Sequence, residues 1–330
     1  MRRREFITLI GGAAVVPFAA LAQQNATSGR PAKIGVLWHA GSADEEREYL
    51  DVLMKTFGEL GYAEGRNAQF LHRFPAEQPD LFRAMARELV EAKPDVIVAV
   101  TQKGAVEVKQ ATSTIPTVFV LATDPVKEGF VESLAHPGGN MTGLSTMAAD
   151  LAGKKLTLLR EAVPTLRGVA LIIDYRNYST SSPSVTALIS AANAMGLSVR
   201  TVQVATFEDV DLAFSKIPQD GSEAAIPFGP MLFNERARVG SSALGHRIPT
   251  LATINETVPY GLLMSYGQDQ PEYFRKAAVY VDKILRGAKP ADLPVQQPTR
   301  FKQIINLKAA KVLGLTIPAS LLIAADELIE

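Results

Sequence analysis

The chain writes one strand twice. STIPTVFVLATD occupies 113–124 and HRIPTLATIN occupies 246–255; each follows a helix-periodic stretch and ends on a short polar residue, Asp124 or Asn255. The repeat is not isolated. KIGVLW (33–38) has its counterpart in GVALII (168–173), and the helical stretch closing at Gly61 has one closing at Gly196. Ile34 and Val169 are 135 residues apart, Gly61 and Gly196 are 135 apart, and Ile115 and Ile248 are 133 apart. A near-constant offset in unchanged order is what a duplicated domain leaves behind. Each IPT then enters an equivalent strand through a proline that can take the first position without breaking the ladder.

Within each half, strands alternate with helical stretches of 10–15 residues, the pattern of parallel β-α-β units. The first half reads as strand 33–38, helix 44–61, strand 66–74, helix 79–93, strand 94–100, helix 103–112, the first IPT strand, and a helix over 124–135 begun by Pro125. HPGGNMTGLSTM (136–147) reads as a hinge crossing because of its glycines. The second half runs through helix 183–196, strand 197–204, strand 223–229 and the second IPT strand, with GLLMSYG (261–267) beyond it. A long helix over 271–287, a segment at 287–300 held extended by prolines 290, 294 and 298, and a tail helix over 320–330 complete it. The expected fold is α/β, with two Rossmann-like, doubly wound parallel lobes. The chain passes between them three times, with hinges near 143–147, 265–268 and 296–300. The expected boundaries are 31–145 plus 267–297 for one lobe and 146–266 plus 298–330 for the other.

Composition bounds the function classes. Formal net charge is zero, with 34 basic and 34 acidic side chains dispersed along the chain, so no nucleic-acid footprint is present. There is no cysteine, which excludes disulfides, thiolate metal sites and a lipid-modified N-terminal cysteine. Residues 1–22 read as an export signal: a charged start, the apolar run FITLIGGAAVVPFAALA, and a small-residue cleavage site at Ala20-Leu21-Ala22. The run is too short, and too broken by Gly11, Gly12 and Pro17, for a membrane anchor. Arg3-Arg4 followed by Phe6-Ile7 resembles a twin-arginine signal, one of two export routes open to this segment. Cleavage after Ala22 leaves a formal charge of −2 on a product expected free in the periplasm.

In open parallel sheets, ligands sit at the carboxyl ends of strands. Thr101-Gln102-Lys103 opens a helix after strand 94–100, either as an anion site or as a capping threonine with a solvated lysine. Asp124 before Pro125 is a helix cap or an acceptor for an ammonium group. Trp38 and His39 end the first strand; the tryptophan is a stacking surface or a core edge. Asp174, Tyr175, Arg176 and Asn177 crowd the matching end in the second half, a recognition-like set. Phe228, Asn255 and Tyr266 stand at the remaining strand ends. No dinucleotide fingerprint, P-loop, nucleophile elbow or HExxH motif occurs, and the histidines at 39, 72, 136 and 246 are not paired at metal-ligand spacing. The residues therefore favour a binder without cofactor or metal over an enzyme. A hydrolase using His39 with Asp174 is the alternative from a different class.

Several stretches together carry a family resemblance: RRREFITLIGG, ELGYAEGRN (59–67), KPDVIVA (93–99), TIPTVFV and TDPV within 114–126, LAHPGGNMTG (134–143), GLLMSYG, YVDKILRGAKPADLPVQQPT (280–299), INLKAAKVLGLTIPASLL (305–322) and ADELIE (325–330). The chain resembles the ABC-transporter substrate-binding family that includes tryptophan- and tyrosine-binding members. That resemblance implies a type I periplasmic-binding-protein fold and delivery of a small ligand, an amino acid or small carboxylate with aromatic ones among the candidates, by a monomer to an inner-membrane permease. A sensor of the same fold signalling to a membrane receptor shares these features. Thr101, Asp124, Thr142 and Tyr266 fall within family-like motifs and are implied cleft residues. Two stretches depart from the family pattern, both at expected ligand-facing loops: Lys103 stands where proline is common, and Asp174 to Asn177 stand where an Asn-Pro-rich loop is usual.

Overall fold

The computed structural model describes residues 30–175, 179–206 and 208–330. The expected signal at 1–22, and Arg176 and Asn177, lie outside the described residues. The first lobe is a parallel sheet in the order β2-β1-β3-β4-β5, formed by β1 (Ala32–Leu37), β2 (Ala68–Arg73), β3 (Val96–Val100), β4 (Thr117–Ala122) and β5 (Met141–Ser145). Its helices are α1 (Arg47–Glu59), α2 (Pro79–Glu91) and α3 (Thr101–Ala111). Strand periodicity places the core: Ile34, Val36, Val96, Val98 and Val100 face one buried cluster with α1, while Leu37, Ile97 and Ala99 face another with α2 and α3.

The second lobe repeats this order. β6 (Gly168–Asp174), β7 (Ser198–Val204) and β8 (Ala224–Phe228) form a parallel sheet, β7-β6-β8. A single bridge from Ala225 to Thr250 joins it to a second sheet, β12-β11-β10-β9, made of β9 (Leu251–Ala252), β10 (Met264–Gln268), β11 (Phe301–Asn306) and β12 (Glu327–Ile329). Its helices are α4 (Ala152–Ala162), α5 (Pro183–Ala194), α6 (Asp209–Lys216), α7 (Pro230–Asn234), α8 (Arg236–Gly245), α10 (Leu307–Leu313) and α11 (Ala319–Ala324), while α9 (Gln270–Leu285) returns to the first lobe. Prolines open α2, α5, α7 and α9 from the first turn, where a missing N–H leaves no bond unmade. Gly61 and Gly196, the paired helix stops of the repeat, adopt φ of 92° and 72°.

The chain crosses three times. After β5 it reaches α4, whose Leu156 and Leu159 belong to the second lobe's core. After β10 it enters α9, whose Phe274, Ala277 and Val281 belong to the first. Gln296 bonds back to β5, its N–H donating to the Gly143 carbonyl at 2.9 Å, before the chain enters β11 beside β10.

Three local expectations are corrected. Residues 124–135 form turns rather than a helix, because the N–H of Lys127 is capped by the Asp124 carboxylate and Gly129 turns the chain left-handed at φ 65°. The segment read as a glycine hinge contains strand β5, which closes the first sheet. The tail helix stops at Ala324, and Asp326 pins the chain to Gln303 through both its N–H and its carboxylate, so that Glu327–Ile329 pairs parallel to β11. The second IPT copy forms only a two-residue strand.

Gly143 is where the fold has least room. Its φ is 151°, and a Cβ there would lie 2.0 Å from the Phe119 carbonyl oxygen of β4. Gly143→Ala must push β4 and β5 apart and is expected to lower the unfolding free energy by about 2–3 kcal/mol, measured by urea denaturation. An unchanged midpoint would contradict the close approach.

Candidate functional site

His39 leaves the carboxyl end of β1 and is enclosed by two carboxylates. Its Nδ1 lies 2.6 Å from Glu77 Oε1 and its Nε2 lies 3.3 Å from Glu46 Oε1. Glu46, immediately before α1, also accepts the N–H groups of His39 and Ala40 at 3.2 and 3.0 Å. Glu77 is delivered by a strained turn: Ala76 and Glu77 have φ of 50° and 58°, and their N–H groups donate to the carbonyls of Ala40 and His39. Non-glycine residues pay about 1 kcal/mol or more each for such backbone, and persist where a site demands it. Thr101 and Leu121, at the ends of β3 and β4, show the same left-handed φ of 66° and 65°.

The second lobe reaches into this environment. Phe233 of α7 is 3% exposed and counts among the first lobe's core residues. Its ring stacks on Tyr49 at 5.6 Å and meets His39 edge-on at 6.4 Å. The stack continues inward from Tyr49 to Phe274 at 4.8 Å and on to Trp38 at 5.7 Å. Arg236, one turn beyond, places its guanidinium 4.7 Å from Phe233 and 4.8 Å from Tyr260. Beside it, the Tyr49 hydroxyl lies 2.8 Å from Gln270 Oε1 and 3.4 Å from Glu256 Oε2 of the second lobe. At the crossings, Tyr273 donates to the Ser145 carbonyl and to Gln268, and Asn255 donates to the Gly267 and Gln268 carbonyls.

Unmet polar atoms gather along the same seam. Of nine buried side-chain atoms without a hydrogen bond among the described residues, Glu46 Oε2, Asn234 Oδ1 and Arg236 Nε lie around Phe233 and His39. Ser145, Thr146, Asn255 and Ser265 supply four more at the crossings. Buried groups of this kind normally find partners, so their concentration where the lobes meet makes the seam the candidate site.

The residues singled out in the sequence distribute as follows. His39 and Asp174 are brought near one another through Glu77, whose carboxyl is pushed up mainly by burial and further by Asp174 and Glu46, against the pull of His39. Asp174 is fully buried and accepts the Met231 N–H at 3.2 Å. Gly229 makes this possible, since a Cβ there would lie 2.5 Å from the Asp174 Cβ. Thr101, Gln102 and Asp124 share the carboxyl edge of β3 and β4, with Gln102 accepting the Thr123 N–H at 2.9 Å. Lys103 pairs with Glu107 at 3.0 Å within its own helix. Trp38 is wholly enclosed, donating to His72 at 3.0 Å, and Thr142 donates to the Leu293 carbonyl at 2.6 Å, bracing the third crossing. Phe228 packs in the second lobe's core, Tyr266 is half-buried against Phe301, and Tyr175 is 51% exposed. Sequence reasoning passed over Glu46, Glu77, Tyr49, Phe233 and Arg236, and met Glu256 only as the neighbour of Asn255 at a strand end. The one local sign was FGP at 228–230, a turn that launches α7.

A family model described as ABC transporter substrate binding protein matches residues 39–329. A curated relative, the tyrosine-binding protein of Clostridioides difficile, is 26% identical over 262 residues, covering 79% of this chain and 75% of that one. Among solved structures, a Streptococcus pneumoniae ABC domain in complex with L-Trp superposes with a TM-score of 0.80 at 26% identity, covering 91% of this chain and all of the other. A conserved domain protein of Vibrio cholerae superposes with a TM-score of 0.81 at 26% identity over the same shares.

Two titrations couple to this seam. Burial alone would pull the His39 imidazole down, but Glu46 and Glu77 outweigh it and raise it from 6.5 to about 9. Burial, with the nearby carboxylates of Glu48 and Asp269, raises Glu256 from 4.5 to about 8. A group raised on folding contributes stabilisation that is complete below its unfolded value and is lost as pH rises through its folded value. The thermal midpoint is therefore expected to fall between pH 5 and 9, with His39 accounting for on the order of 3 kcal/mol above pH 6.5. Differential scanning calorimetry of His39→Gln should show a flatter profile from pH 6.5 to 9, and of Glu256→Gln a flatter one from 4.5 to 8. Slopes identical to the parent's would contradict the assignment.

Proposed function

The chain belongs to the ABC transporter substrate binding protein family, and from that premise we propose that it is the periplasmic receptor of an importer. In this reading it captures an amino acid or small carboxylate, aromatic ones first, between its lobes, and presents the closed form, as a monomer, to an inner-membrane permease. Residues 1–22 direct its export. The observation that carries the reading is the seam itself: an aromatic ring from one lobe seated in the other, amid polar atoms with no partner. A tyrosine-binding relative and an L-Trp-bound structural neighbour support aromatic amino acids as the first ligands to try.

Closure needs few moving parts. The three crossings provide the axis, and Phe233, Arg236 and Glu256 of one lobe separate from Tyr49 and His39 of the other when it opens. The side-chain atoms left unmet at the seam then supply hydrogen bonds that only a bound molecule completes. His39 supports binding over hydrolysis, since an imidazole kept charged up to about pH 9 takes no proton from a nucleophile at neutrality.

Isothermal titration and thermal shift with L-tryptophan, L-tyrosine, L-phenylalanine, other proteinogenic amino acids and small carboxylates test this. A ligand present at 100-fold its Kd should add about 2.7 kcal/mol of stability. Phe233→Ala should weaken that ligand roughly tenfold or more through loss of its ring contact. A panel without heat or shift, or a ligand indifferent to Phe233→Ala, would count against the proposal.

A further inference from the structure

Two buried carboxylates share one imidazole. Among the described residues, His39 is the one basic side chain that ion-pairs with Glu46 or Glu77, which are 0% and 4% exposed. The two oxygens of Glu46 are unequally used. Oε1 accepts two backbone N–H groups and the His39 contact, whereas Oε2 is sealed from solvent and accepts nothing. Arg236 does not supply the missing donor: its Nη1 donates to the Phe233 carbonyl, its guanidinium lies against the rings of Phe233 and Tyr260, and its charge acts on Glu48.

A sealed carboxylate oxygen is satisfied best by a donor that also brings positive charge. An alkylammonium fits: it carries three N–H donors on a compact charge, and the rings of Phe233 and Tyr49 beside His39 offer it aromatic surroundings. We propose that Glu46 is the anchor for the ligand's ammonium group, which narrows the ligand to amines, amino acids above all, and excludes simple carboxylates. This rests on the reading of the seam as the ligand site. Asp124, the residue the sequence offers for an amine, spends one carboxylate oxygen capping the turn at Lys127, while Glu46 Oε2 is unspent.

Matched probes separate the groups: L-tryptophan, tryptamine and indole-3-propionate, and L-tyrosine, tyramine and 3-(4-hydroxyphenyl)propionate, titrated calorimetrically into the full-length mature protein at pH 7. The amino acids should bind at least about 100-fold more tightly than the amino-free acids, as expected where a buried acceptor would be left unpaired. Glu46→Gln should erase most of that ratio while its circular dichroism stays that of the parent. Should Glu46→Gln fail to fold, Glu46→Asp withdraws the charge by one methylene and should weaken the amino acids without touching the amino-free acids. Amino-free acids binding as well as amino acids, or a ratio unmoved in the folded variant, overturns this inference and leaves the receptor reading intact. A panel widened to the other proteinogenic amino acids and small carboxylates in which no member binds overturns both.

Discussion

Phe233 is carried by the second lobe and buried in the first, and that single insertion ties together features that otherwise have no common cause. Enclosing a phenylalanine ring is worth about 1.5–3 kcal/mol, comparable to a sizeable part of a domain's net stability. Here the ring's stacking partner, Tyr49, and its core cluster belong to the opposite lobe. The same meeting encloses the His39 imidazolium and its two carboxylates, brings Glu256 beside the Tyr49 hydroxyl, and stacks Arg236 on two rings. Apolar burial drives the contact; charged groups tune it.

The opposing terms are equally local. Carboxylates beside one another in a low-dielectric seam repel, and several polar atoms there have no hydrogen bond. A contact that is favourable in its aromatic centre and unsatisfied around it is poised rather than locked. A molecule able to satisfy the surrounding atoms tips it, which is the energetic requirement for a receptor whose closure reports occupancy.

Much of the architecture was legible because it rests on short-range rules. Apolar runs marked β1, β3 and β6 as strands, prolines and glycines marked helix ends, and the 135-residue offset foretold that the strand-helix series would recur. The misreadings came where a side chain or one backbone bond outweighed periodicity: Asp124 capping a turn, Asp326 turning the tail into a strand, and Gly143 admitting close strand contact. The seam was far less legible. His39, Asp174 and Asn255 stand out as strand-end residues, but Glu46 reads as helix-start acidity, Glu77 as loop, and Phe233 as the apolar residue of a short helix. Their meaning arises from juxtaposition across lobes, with Tyr49 and Phe233 184 positions apart, and no local pattern encodes it.

The central claim is that the lobes part and close around a guest. The absence of native cysteine allows spin labels to be placed at will, at Asp44→Cys on the first lobe's rim and Thr180→Cys on the second's. Pulsed dipolar spectroscopy of this doubly labelled protein, with and without a saturating amino acid that binds it, reads the opening directly. The account predicts a broad distance distribution that narrows to one shorter population when the ligand is added; a single distance indifferent to a ligand proven to bind would contradict it.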